Sequence, residues 1–338
     1  MSVATGLGGS STGVGSLPGV DPLATAAWVL DEAPELPHLP ELPGRGIGAD
    51  AVGRAAGMLV DLPVEVVPSG WQVAARPGAD LARARQLLSD DLAALEVAAH
   101  GYRGPMKVQV LGPVTLACML GQARGEAALS DSGLRRELAQ SLAEGVRRHL
   151  GDLASRVPGA VPVLQVDEPA LPAALVGAQP TRSGWGRLAP LDQAWAEQML
   201  GEVLAASPDR EARIVHCCGH DVPVGLVMSA GAGALSFDLD LVGDADLEAY
   251  AEAVDAGAAL IVGAIPTTPG MTSAAAADRV RQLWSRLGFA AAAMRARTTV
   301  SPACGLAGVL DEQARATYRT AREAALRLSE HDGIAPGR

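Results

Sequence analysis

Ala212-Arg213-Ile214-Val215-His216-Cys217-Cys218-Gly219 runs from a short β-like segment straight into residues of metal-ligand type. Far downstream, Thr298-Thr299-Val300-Ser301-Pro302-Ala303-Cys304-Gly305-Leu306 does the same. His and Cys are the usual zinc ligands, and a thiolate-rich site suits a soft thiol substrate. Ligands that follow separate strands point to an active site. A zinc finger instead takes its ligands in closely spaced pairs, and the chain has no C-x-x-C. His216 and Cys218 stand two apart, so just past a strand end both can face the same side. Cys217 should then turn into the wall as a small hydrophobe. Cys118 reads as core packing within a helix, and His220 as loop material, a lesser candidate ligand.

Outward from these stretches, β-branched runs alternate with helical ones. Strand-like segments are 12–15, 107–111, 161–166, 212–216, 234–237, 260–265 and 298–302, with a weaker one within 60–67. Helical patterns cover 80–100, 131–157, 191–206, 244–256, 273–287 and 311–329. In the first of these, Leu81, Ala84, Leu87, Leu88, Leu92 and Leu95 share a face. Eight strands alternating with helices predict an α/β fold, a single (β/α)8 TIM barrel over residues 1–338, with its core at about 12–330. A doubly wound sheet is the alternative, but no G-x-G-x-x-G opens a helix. Residues 33–75, rich in Pro and Gly, predict an elaborated loop or hairpin. In such barrels the chemistry sits at the C-terminal strand ends. Ser16, Asp167-Glu168, His216 with Cys218, Asp238, Thr267-Thr268 and Cys304 all fall there.

Composition narrows the function. The 338 residues are 49% hydrophobic but only 3% aromatic, so the core must be Ala, Val and Leu. A net charge of -11 without a basic stripe argues against nucleic acid and anionic membrane as partners. Lys107 is the sole lysine. No run of ~20 apolar residues could span a bilayer. The small, polar opening at Met1–Gly13 lacks the form of a secretory signal, and four cysteines make no disulfide scaffold, so a cytoplasmic protein is expected.

Five segments, in order, resemble the C-terminal catalytic barrel of cobalamin-independent methionine synthase. The wider superfamily also holds uroporphyrinogen decarboxylase and corrinoid-dependent methyltransferases. The segments are Gly15-Ser16-Leu17-Pro18, Leu111-Gly112-Pro113-Val114-Thr115, Gln165-Val166-Asp167-Glu168-Pro169-Ala170-Leu171, His216-Cys217-Cys218-Gly219 and Pro302-Ala303-Cys304-Gly305-Leu306. The Gly after His-x-Cys is more like the short, single-barrel archaeal-type members. The resemblance implies Zn2+ held by His216, Cys218, Asp238 and Cys304, with homocysteine as the small-molecule thiol substrate. Its carboxylate would lie on Gly15 and Ser16, and its ammonium on Asp167. The family's acidic ligand is usually Glu; Asp238 is one methylene shorter, and Asp240 is the fallback. A second acidic residue usually helps hold the ammonium, and Glu65 is the expectation for it.

Two departures bear on the methyl donor. Residues 263–269 contain no His where the long enzymes carry one thought to protonate the leaving folate, and no Trp follows Gly112-Pro113-Val114-Thr115. A second, N-terminal folate-binding barrel is not expected either. A methyl on a folate amine needs proton assistance, whereas a methyl on cobalt does not. The expected donor is therefore methylcobalamin, or a methylated corrinoid protein as partner, in preference to methyltetrahydrofolate. Two rival readings are a zinc- or thiol-binding paralog without turnover and a uroporphyrinogen decarboxylase-like enzyme. The second would need basic residues that an acidic chain with one lysine lacks.

Overall fold

The computed structural model describes residues 7–330. Seven parallel strands form one curled sheet in the order β1-β9-β8-β7-β6-β5-β4. They are β1 (Ser10–Ser11), β4 (Gly104–Leu111), β5 (Ala160–Asp167), β6 (Arg213–Cys217), β7 (Ala234–Asp238), β8 (Ala259–Ile265) and β9 (Thr298–Pro302). The strands are rich in β-branched and aliphatic residues and buried along most of their length, as expected of parallel strands covered by helices.

The sheet is closed by a stave that the sequence did not announce. Residues 37–41 bridge its two edges: His38 pairs in parallel with Lys107 of β4, and Glu41 with Ser16 beyond β1. Leu39 N donates to Lys107 O at 2.9 Å, and Glu41 N donates to Gly15 O at 3.1 Å. The second strand expected within 60–67 is not part of the barrel. Val64–Val67 (β2) and Gly70–Val73 (β3) instead form an antiparallel two-stranded hairpin, outside the barrel but within the region expected to be elaborated.

The helices wrap this barrel. Among them are α1 (Pro22–Glu32), α2 (Ala51–Met58), α3 (Ala79–Ala98), α4 (Pro113–Met119), α5 (Ser132–Arg156), α6 (Leu171–Leu175) and α7 (Gln193–Leu204). In the second half come α8 (Val224–Ser229), α9 (Leu247–Asp255), α10 (Ser273–Arg286), α11 (Ala291–Arg297) and α12 (Asp311–Ser329). The apolar face read for α3 is the buried one: Leu81, Ala84, Leu87, Leu88, Leu92 and Leu95 all pack inward. Asp131 and Thr272 cap α5 and α10 through their side chains, which explains why those helices begin where they do. No helix among the described residues is long and apolar enough to cross a membrane.

The barrel interior is polar at its centre. Lys107 is fully buried, and its Nζ donates to Val14 O at 2.9 Å. Gln165 Nε2 donates to the same carbonyl at 2.8 Å and to Asp167 Oδ1 at 2.7 Å. These bonds satisfy groups whose burial would otherwise be costly, and they fix the floor beneath the C-terminal strand ends.

Candidate metal and substrate site

At those strand ends His216, Cys218 and Cys304 come together. One ligand atom from each lies within 4.8 Å of the other two. Neighbouring strands hold His216 in place: it is in register with Asp167 of β5 on one side and Ser236 of β7 on the other. Its Nδ1 is 2.9 Å from Ser236 Oγ, while Nε2 is buried with no hydrogen-bond partner. Cys304 arrives from the loop after β9. Ala303 N donates to Ile265 O at 2.8 Å, and Leu306 N donates to Ser16 O at 2.7 Å. Gly305 lets this loop close on the segment after β1, since a Cβ there would lie 2.0 Å from Ser16 Oγ.

Cys304 Sγ and Cys218 Sγ share a hydrogen bond at 3.5 Å. That contact, with help from His216, pulls the Cys304 thiol below its usual range and pushes Cys218 up. A tetrahedral zinc with Zn–S near 2.3 Å would hold two sulfurs about 3.8 Å apart. The donor set therefore fits such an ion: two soft sulfurs at nearly the right separation, beside a buried imidazole nitrogen that nothing else satisfies. Ser236 supplies the outer-shell contact that orients a ligating imidazole.

Asp238 does not join the cluster in this structure. It ends β7, and its Oδ1 accepts from Asp240 N at 2.9 Å. Burial raises its pKa, and Cys304 is among the neighbours that add to the rise. Asp240 is engaged elsewhere, in an ion pair with Arg279. Cys217 is buried, outside the cluster, with its thiol pushed up to about 11 by burial. Cys118 lies in α4, also raised by burial, and His220 sits in the loop after β6, outside the cluster.

The cluster opens into a cavity of about 270 Å3. Gly15, Ser16, Glu41 and Asp167 line it together with the three ligand-type residues. Burial pushes the Asp167 carboxyl up to about 7; Glu41 adds to the rise, while His216, Gln165 and Lys107 oppose it. Lys107 is lowered to about 8 by burial, against the pull of Asp167 and Glu41. Glu41 is the residue that sequence reasoning missed. Glu65 lies on the hairpin, bonded to Gln72, and does not line the cavity. The available signal for Glu41 was a lone acid in a Pro-bounded apolar run, Leu36-Pro37-His38-Leu39-Pro40-Glu41-Leu42, which would have been a weak one.

Glu168, beside Asp167, serves the fold. It accepts from Val114 N and Thr115 N at 2.8 Å each and from Thr115 Oγ1 at 2.6 Å, holding the start of α4. Its pKa rises to about 7 through burial, against those three bonds. Gly112 is required by the contact, because a Cβ there would lie 2.4 Å from the Glu168 carboxyl. Two of the segments quoted from the sequence are thus one structural unit.

The family described as cobalamin-independent synthase, catalytic domain, matches residues 10–327. No curated protein matches the chain. Among solved structures, a B12-independent methionine synthase from Shewanella sp. W3-18-1, in complex with selenomethionine, is similar with a TM-score of 0.50 at 15% identity. That likeness covers 75% of this chain and 69% of the other. A xylanase from Cellvibrio japonicus is a more distant likeness, at 13% identity and a TM-score of 0.36 over 72% of this chain and 57% of that one. With a match spanning nearly its whole length, the chain belongs to the cobalamin-independent synthase catalytic-domain family.

Proposed function

We propose that the chain transfers a methyl group to the thiol of homocysteine at a zinc site formed by His216, Cys218 and Cys304. Asp238 is the acidic residue available to complete it. The observation that carries this reading is the unpartnered His216 Nε2 within a His-Cys-Cys cluster that opens onto two carboxylates. Zinc bound there would favour the thiolate form of the substrate sulfur, which in a free thiol of pKa ~8.5 is mostly protonated. The chain's own part is to place the amino acid. Glu41 and Asp167 face the cavity as partners for the ammonium, and the Gly15-Ser16 turn lies beside them for the carboxylate. The structural relative was solved with selenomethionine, an analogue of the product this reading requires.

The absent histidine points to a corrinoid donor, and neither likeness supports it. Both relatives are cobalamin-independent, which favours a methylated folate. The test is homocysteine methylation by the zinc-loaded protein with methyltetrahydrofolate and with methylcobalamin in parallel. Methionine from the folate arm is the expected result. Turnover from methylcobalamin alone would restore the corrinoid donor. No methionine from either, with zinc bound, would leave a thiol-binding paralog.

Asp240→Ala is expected to leave zinc stoichiometry unchanged, because Asp240 is already paired with Arg279. Asp238→Ala is expected to weaken zinc, since Asp238 can replace its bond to Asp240 N with a metal bond. Metal analysis after dialysis decides; the reverse pattern would move the acidic ligand to Asp240.

A further inference from the structure

Behind Glu41 lies a chain of buried charges that methyl transfer as described does not use. Arg54 of α2 has its Nε 3.3 Å from Glu41 Oε1, and its Nη1 pairs with Asp91 of α3. Arg45 takes the other Asp91 oxygen at 2.5 Å. The Arg54 side chain is 2% exposed and that of Asp91 1%. Burying such a network costs desolvation that the pairing barely returns, so stability alone is a poor reason for it.

The geometry suggests another reason. Arg54 Nε lies at ion-pair distance from Glu41 but makes no hydrogen bond. Arg54 therefore offsets the Glu41 charge without clamping its oxygens, because Asp91 holds the guanidinium from the far side.

We propose that Arg54, held by Asp91, is a positioning residue that stabilises the Glu41 carboxylate while leaving its oxygens free to serve as half of an ammonium site, and so makes the substrate's amino group a requirement. This rests on the reading of the cavity as a homocysteine site. The test compares, by calorimetry on the zinc-loaded protein, homocysteine with 4-mercaptobutyrate, the same thiol acid without the amine. The unaltered protein is expected to prefer homocysteine by about a hundredfold. Arg54→Met should shrink that preference by about tenfold or more, mainly through homocysteine, and Arg54→Lys should restore much of it. Asp91→Asn should shrink it too, because a released Arg54 then clamps Glu41. A merely structural role would weaken both ligands alike and keep the ratio. An unchanged ratio in folded Arg54→Met overturns the proposal. If that variant does not fold, an unchanged ratio in Asp91→Asn overturns it. Absence of any preference in the unaltered protein overturns this proposal and the homocysteine reading together.

Discussion

Cys304→Ser protein is expected to purify with little zinc, against the one ion per chain expected of the unaltered protein, and to lose methyl transfer with it. The substitution removes one of the three ligand-type residues that converge at the strand ends. Serine is nearly isosteric, so the loop should keep its place: Ala303 N and Leu306 N hold it through backbone bonds to Ile265 and Ser16. What changes is the donor. The Cys304 thiol is pulled toward its ionised form by its neighbours, and a hydroxyl offers no comparable soft anion. The loss in zinc affinity should exceed the ~10–100-fold typical of an outer-shell change. Cys217→Ser, next to His216 in β6 but buried in the wall and outside the cluster, should keep its zinc. Full zinc in Cys304→Ser, measured by elemental analysis, would remove Cys304 from the site.

The sequence displayed this metal cluster more openly than the substrate pocket, and the reason is physical. His216, Cys218 and Cys304 are rare residue types at the ends of strongly β-branched runs, so chemistry and strand signal coincide. Glu41 sits on a stave that contains Pro37 and Pro40, a composition that reads as loop. The stave closes the barrel all the same, because its ladder donors are Leu39 N and Glu41 N, and the proline between them gives up none. Val64–Val67 presents the opposite case: good strand formers that pair only with their own hairpin partner. Propensity reports how a segment extends and says nothing of which edge it will join. Asp238 shows a different limit. Its position at the end of β7 was legible, but the bond it makes to Asp240 N depends on the local turn.

Asp167→Asn is expected to weaken homocysteine binding by at least about a hundredfold while zinc stays in place, since leaving one member of a buried ion pair alone typically costs ~3–5 kcal/mol. Glu41→Gln should act in the same direction, for the two carboxylates face the same cavity. Neither is one of the cluster's three ligand-type residues. The contrast with Cys304→Ser is therefore diagnostic: one substitution empties the metal site, and the others spare it and lose the amino acid. Asparagine keeps the shape of Asp167 and can still meet Gln165, so the barrel floor should survive the change. Removing the charge also relieves a cost, because burial already disfavours the ionised carboxylate and Glu41 adds repulsion. Asp167→Asn should accordingly unfold at a temperature no lower than the unaltered protein. A binding defect with undiminished stability is the signature of a carboxylate kept for its substrate. Unchanged homocysteine affinity, or a marked loss of thermal stability, would instead assign Asp167 to the fold.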